Sequence, residues 1–178
     1  MPELSLTSAN LVALSPRALH TLRDRVGATA LQEAGYAAGD GTYQAFCSWL
    51  HGTEGIDDPR EVAVPALAEV LTRFFSSLGW GSVQVTMLNE ATFAVDSGDW
   101  AEAQAGAGLQ YPACSFTSGV LADFFTRYAD AALAVMEVEC RSRGDGHCRW
   151  LVGSPETLTM LYQYMAQGAD YRTILQGG

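Results

Sequence analysis

Glu137, Cys140 and Cys148 fall in one short run, Glu137-Val138-Glu139-Cys140-Arg141-Ser142-Arg143-Gly144-Asp145-Gly146-His147-Cys148, with the spacing E-x2-C-x7-C. The Gly-Asp-Gly in its middle reads as a hairpin turn, which returns the second thiol to the neighbourhood of the first. Upstream, Tyr111-Pro112-Ala113-Cys114-Ser115-Phe116 supplies a third cysteine. Three thiolates and one carboxylate form a tetrahedral donor set for a divalent ion, and zinc is the expected one. With four protein ligands the site is closed and structural, leaving no position for activated water and no Lewis-acid chemistry. The competing reading is that cysteines on neighbouring strands are small buried hydrophobes.

The spacing leaves the identity of the carboxylate open. Glu137 and Cys140 are three residues apart, so on a regular strand they face opposite ways. The strand must end or bulge near Glu139 for both to reach one ion. Glu139 remains the alternative, and His147, beside Cys148 in a turn, reads as exposed. The fourth cysteine, Cys47, lies between Phe46 and Trp49 with no Lys or Arg near it to lower its pKa, so it reads as a buried small side chain.

At 178 residues and 48% hydrophobic, the chain suits one domain, 1–178, with a substantial core. Twenty acidic against ten basic side chains leave a formal charge of -10, which disfavours nucleic acid or an anionic membrane as a direct partner. No uninterrupted apolar run approaches the roughly 20 residues that span a bilayer, and Met1-Pro2-Glu3-Leu4 does not open a signal peptide. Four cysteines are too few for a secreted disulfide scaffold, so a cytoplasmic location with reduced thiols is expected.

The elements that must position the site follow from periodicity and punctuation. Ser15-Pro16 starts a helix carrying Leu19, Leu22 and Val26. A longer helix is expected from about 28 to 50, and its interior Gly35, Gly39 and Gly41 predict a tight helix-helix contact, within or between subunits. Leu67, Val70, Leu71, Phe74, Phe75 and Leu78 form a third apolar stripe that stops at Gly79. Alternation over 82–88 and 92–95 gives a first antiparallel hairpin. Residues 96–108 carry no clear pattern. A helix over 116–128, a second hairpin from strands at 132–140 and 147–152, and a helix capped by Ser154-Pro155 complete the order, after which 168–178 is expected to fray. This order is α+β, with helices packed on an antiparallel sheet of two hairpins.

Gly35-Tyr36-Ala37-Ala38-Gly39, Tyr111-Pro112-Ala113-Cys114 ahead of Ser118-Gly119, and the Glu137-to-Arg149 hairpin together resemble the 4-vinyl-reductase-like (hydrocarbon-binding) domain family. Members of that family also stand at the front of aromatic-responsive bacterial activators. The resemblance implies the fold of trafficking-complex subunits and related ligand-binding domains. Its phenol-sensing members hold zinc through positions that correspond here to Cys114, Glu137, Cys140 and Cys148. It also implies a pocket for a small hydrophobic molecule, with Phe93, Trp100, Tyr111, Phe116 and Phe124 as wall residues, and a homodimer. Phenol-sensing relatives anchor a hydroxyl with a histidine and a tryptophan. Trp100 could serve, but no histidine lies between His51 and His147, so a larger, more apolar or tetrapyrrole-related ligand is expected.

No nucleophile with its base, no carboxylate pair and no phosphate loop stands out, and His20 and His51 read as surface or capping residues. The expected function is therefore a sensor or carrier domain stapled by zinc. The alternative, which the family name suggests, is an accessory protein or reductase in bacteriochlorophyll or tetrapyrrole metabolism.

Overall fold

The computed structural model describes residues 12–176; the opening Met1-Pro2-Glu3-Leu4 and the closing Gly177-Gly178 lie outside them. In chain order the elements are α1 (Pro16–Val26), α2 (Ala28–Glu54), α3 (Val64–Ser77), β1 (Gln84–Asn89), β2 (Thr92–Ser97), α4 (Ser115–Ala129), β3 (Ala134–Glu139), β4 (Cys148–Gly153), α5 (Pro155–Ala166) and α6 (Tyr171–Gln176), with a short 3-10 turn at Pro59–Glu61. The caps are those expected from sequence. The Ser15 hydroxyl accepts from the Ala18 N–H and that of Ser154 from the Thr157 N–H, each just ahead of a proline that starts the helix.

The four strands form one antiparallel sheet in the order β1-β2-β4-β3, two hairpins joined through β2 and β4. Alternation along the strands divides the apolar residues between two faces. Val95, Val135, Trp150 and Val152 enter the larger core, with Phe46, Phe74, Phe75, Trp100 and Phe124 from the helical side. Ala94, Val138 and Leu151 face the other way, against Leu158 and Leu161 of α5 and Tyr171 and Leu175 of α6. The sheet is thus covered on both faces, and the cysteine cluster lies on its larger-core side.

The glycines of α2 act within the chain. A Cβ on Gly35 would stand 2.1 Å from the Phe116 carbonyl oxygen, and one on Gly119 of α4 only 2.0 Å from the Gln32 carbonyl oxygen. Side chains at these positions would force the two helices apart, so Gly35 and Gly119 set how closely α4, and with it Cys114, approaches α2. Gly41 is different, because a Cβ there meets nothing within 4 Å.

The C-terminal segment departs from expectation. Instead of fraying after Gly168, the chain turns at that glycine (φ 92°) and forms α6. Tyr171 and Leu175, one turn apart, bury into the outer core. The Tyr171 hydroxyl donates to Glu139 and accepts from Arg149, while the Arg172 guanidinium also reaches the Glu139 carboxylate. A six-residue helix gives too short a pattern to stand out in sequence, and it is held by these contacts with distant residues.

Candidate metal centre and adjoining cavity

Cys114, Glu137, Cys140 and Cys148 come together with all four donor atoms within 4.8 Å of one another. Cys114 is the N-cap residue of α4, Cys140 follows the last residue of β3, and Cys148 opens β4. The Cys114 sulfur lies 3.8 Å from that of Cys140 and 4.0 Å from that of Cys148. Zinc-thiolate bonds of about 2.3 Å in a tetrahedron place their sulfurs about 3.8 Å apart, so the thiols already stand at the edges of such a site. A disulfide, at about 2.05 Å, would need a far closer pair.

A bulge brings the carboxylate to the same side. In the β3–β4 register Glu137 pairs with Trp150 and Glu139 with Arg149, so two steps on β3 match one step on β4. Val138 and Glu139 therefore both face outward, and Glu137 and Cys140 both face the helices. Glu139 is occupied elsewhere, by Tyr171 and Arg172. The Nε2 of His147 points the same way, 3.5 Å from Asp96 and 3.6 Å from Glu139. Glu137 Oε2 accepts the Cys114 N–H at 2.8 Å, while its buried Oε1 has no hydrogen-bond partner among the described residues. An unpartnered buried carboxylate oxygen beside three thiols fits a cation ligand.

The electrostatics point the same way. The Cys140 thiol is held well below its ordinary value by hydrogen bonds from Cys114 and Cys148. Its neighbours move up. Cys114 is raised by its bonds to those two sulfurs and by burial, and Glu137 is pushed to about 9 by burial and by the Cys140 charge. Cys148 rises to about 12, because its bond to Cys114 is outweighed by Cys140 and burial. Four acids in this space cannot all ionise against one another. A divalent cation removes that conflict and would be held by all four.

Local structure fixes the hairpin that carries two of the ligands. Asp145 accepts the Cys140 N–H at 2.7 Å and the Arg143 guanidinium at 2.8 Å, and Gly144 supplies the left-handed backbone (φ 110°) that the turn requires. Buried Ser142 ties in the stretch before α4, its hydroxyl accepting the Gln104 N–H and its carbonyl the Leu109 N–H. Residues 96–108, patternless in sequence, are thus strapped to the metal hairpin. Glu102 caps α4 from within this strap. Its carboxylate accepts the Phe116 and Thr117 N–H groups at 3.0 and 2.8 Å and the Thr117 hydroxyl at 2.5 Å. Burial pushes Glu102 up to about 7, against those hydrogen bonds.

The aromatic residues singled out from sequence part company. Phe124 is fully buried among Tyr43, Phe46, Phe75 and Phe125, and Trp100, also in the core, donates its indole N–H to Thr117 at 2.7 Å. Phe93 packs edge-on to Phe125, and Tyr111 is 69% exposed. Phe116 alone of the five lines a cavity of about 690 Å³ between α1, α2 and the turn after α3. Its ring lies parallel to that of Trp80, 4° apart in plane at 6.1 Å. Leu14, Leu19, Ala38, Gly41, Leu78 and Glu102 complete much of the wall. Trp80 was the missed residue. It sits between Gly79 and Gly81, both at positive φ, which marks a turn held for a purpose. A smaller cleft of about 250 Å³, lined by Gln32, Pro112, Ser115 and Glu137, opens on the carboxylate side of the cluster. Cys47 stands apart from the cluster, on α2 beside Tyr43.

Comparison with known proteins agrees with this site. The family model of the 4-vinyl-reductase domain matches residues 100–154, the segment that contains all four cluster residues. No curated protein matches by sequence. Among solved structures, the phenol-responsive sensory domain of the transcription activator PoxR, with phenol, aligns at TM-score 0.56 and 15% identity, over 82% of this chain and 77% of that one. A vinyl-4-reductase family protein from Methanocaldococcus jannaschii aligns at 0.54 and 17%, over 83% and 87%. A trafficking protein particle complex subunit 3 from Naegleria fowleri, covalently bound to palmitic acid, aligns at 0.58 and 16%, over 84% and 96%. The fold of this chain is theirs, and its residues 100–154, with the cysteine-glutamate cluster, are a 4-vinyl-reductase domain segment.

Proposed function

We propose that this chain is a zinc-stapled domain that binds a small hydrophobic molecule and acts as a sensor or carrier. The observation that carries the reading is the donor cluster. Three sulfurs and a free carboxylate oxygen stand at tetrahedral spacing and join the start of α4 to the β3–β4 hairpin. Zinc there ties remote pieces of chain together and contributes folding free energy directly. The aromatic-walled cavity beside α4 supports the ligand, being of the size and character of small-molecule sites. The fold relatives described with phenol and with palmitic acid support it too, since both hold apolar molecules. Reduced buried thiols favour the cytosol, and exposed Leu22, Val26 and Tyr36 on α1 and α2 offer an apolar surface for a homodimer.

Native mass spectrometry of protein isolated gently under reductant tests the whole reading. One zinc and one small molecule per chain, in a dimer, is the expected result; chains free of both metal and ligand would overturn it. The family match also motivates a second reading, a reductase or accessory protein acting on vinyl-bearing tetrapyrroles. Incubation with such a substrate and a reductant separates the two, because turnover favours the enzyme and binding without turnover the carrier.

A further inference from the structure

The cavity bounded by α1, α2 and the Trp80 turn also says what kind of molecule it takes, an inference that rests on the ligand-binding reading above. Its volume of about 690 Å³ is over four times the roughly 150 Å³ that suffices to bind a single benzene ring. Its walls are mostly hydrocarbon: Leu14, Pro16, Leu19, Ala37, Ala38 and Leu78, with the rings of Trp80 and Phe116. Thr42 and Ser77 are already committed, their hydroxyls donating to the Ala38 and Phe74 carbonyls of their own helices. Among the described residues no Lys, Arg or His lines the cavity, and the ionisable wall residue is Glu102, itself 2% exposed. A carboxylate, sulfonate or phosphate entering this space would lose water, find no counter-ion in these walls and meet an acidic one, within a protein of charge -10.

We infer that this cavity is a site for an uncharged, multi-ring or comparably bulky hydrophobe, with Trp80 and Phe116 as its aromatic wall, and that it rejects anions. Both single-ring phenols and free fatty acids are poor fits, the first by volume and the second by charge. The filled sheet-helix core, where Trp100 and Phe124 are packed, is not the binding space.

Gly41 supplies the test. It lines the cavity, and a Cβ there meets nothing within 4 Å, so Gly41→Leu projects into free space without disturbing the α2–α4 contact. Gly52→Leu, equally unobstructed on the same helix but outside the cavity, is the control. The full-length, zinc-saturated protein is titrated with N-phenyl-1-naphthylamine, a neutral fluorescent three-ring probe. It is then competed with methyl 1-pyrenecarboxylate, with 1-pyrenecarboxylate and with phenol at pH 8. The expected result is one saturable site per chain, with the ester displacing the probe at least tenfold better than the free acid. Phenol should need at least a hundredfold higher concentration. Gly41→Leu should weaken probe binding at least tenfold with zinc content and Tm retained, and Gly52→Leu should bind as wild type does. If the acid matches the ester, or Gly41→Leu binds undiminished, the assignment is overturned while ligand binding itself stands. If wild-type protein holding one zinc shows no saturable site for the probe, both the assignment and the ligand-binding reading fall.

Discussion

Replacing Cys114 with alanine removes one corner of the donor cluster and leaves its surroundings intact. The side chain is fully buried, its sulfur lies against those of Cys140 and Cys148, and the backbone N–H that supports Glu137 is unchanged. A structural zinc site contributes about 10–16 kcal/mol through four ligands, so one thiolate is worth on the order of 3 kcal/mol, or about two decades of zinc affinity. The small void left by the sulfur adds roughly 1 kcal/mol. For a chain of this length, a loss of about 4 kcal/mol lowers Tm by roughly 10 °C. Thermal unfolding with and without EDTA, alongside zinc transfer to a colorimetric chelator, reads both effects. Wild type should lose stability in EDTA, whereas Cys114→Ala should melt about 10 °C lower at the outset and respond little to EDTA. A double variant, Cys114→Ala with Cys140→Ala, should cost little more, because the cluster acts as a unit. Cys47→Ala, away from the cluster, should retain full zinc. If Cys114→Ala held one zinc per chain against the chelator and melted with wild type, the reasoning would be refuted.

Three further expectations follow from other parts of the structure. Gly119→Ala places a methyl 2.0 Å from the Gln32 carbonyl oxygen and 2.5 Å from the Tyr36 nitrogen; it should cost about 3 kcal/mol in urea denaturation. Gly52→Ala, unobstructed, should instead gain about 0.5–1 kcal/mol. Glu102, raised from 4.5 to about 7, binds its proton more tightly in the folded than in the unfolded chain, so its contribution to stability is full below about 4.5 and lost as pH rises through 7. The zinc-saturated protein should therefore lose roughly 1 kcal/mol between about pH 6 and pH 8, and Glu102→Gln should flatten that slope in denaturant titrations at each pH. Tyr171→Phe removes the hydroxyl shared by Glu139 and Arg149 and should cost about 1–2 kcal/mol, with faster proteolysis after Gly168 as the sensitive readout.

What could be read from the sequence was whatever has a local signature. Ser15-Pro16 and Ser154-Pro155 mark helix starts by chemistry within a single turn, and both helices begin there. The glycine spacing of α2 announced a close helix contact, although only the coordinates show that the partner is α4 of the same chain. The cluster was legible because its ligands are rare residue types at short spacing. Even so, periodicity alone could not choose between Glu137 and Glu139, since the deciding bulge depends on the partner strand. The cavity was hidden for a related reason. Aromatic residues in a sequence do not say whether they fill space or border it. Trp100 and Phe124 fill it, and Phe116 borders it. Glu102 gave no signal at all, because its partners Phe116 and Thr117 lie 14 and 15 residues away. The helix α6 was missed because contacts with Glu139 and Arg149, rather than its own six residues, hold it in place.

Elemental analysis combined with zinc K-edge X-ray absorption, on protein purified under reductant, tests the central claim most directly. The expected result is one zinc per chain with three sulfur neighbours at about 2.3 Å and one oxygen at about 2.0–2.2 Å. Substoichiometric metal, or a first shell with fewer than three sulfurs, would contradict convergence of Cys114, Glu137, Cys140 and Cys148 on a single ion.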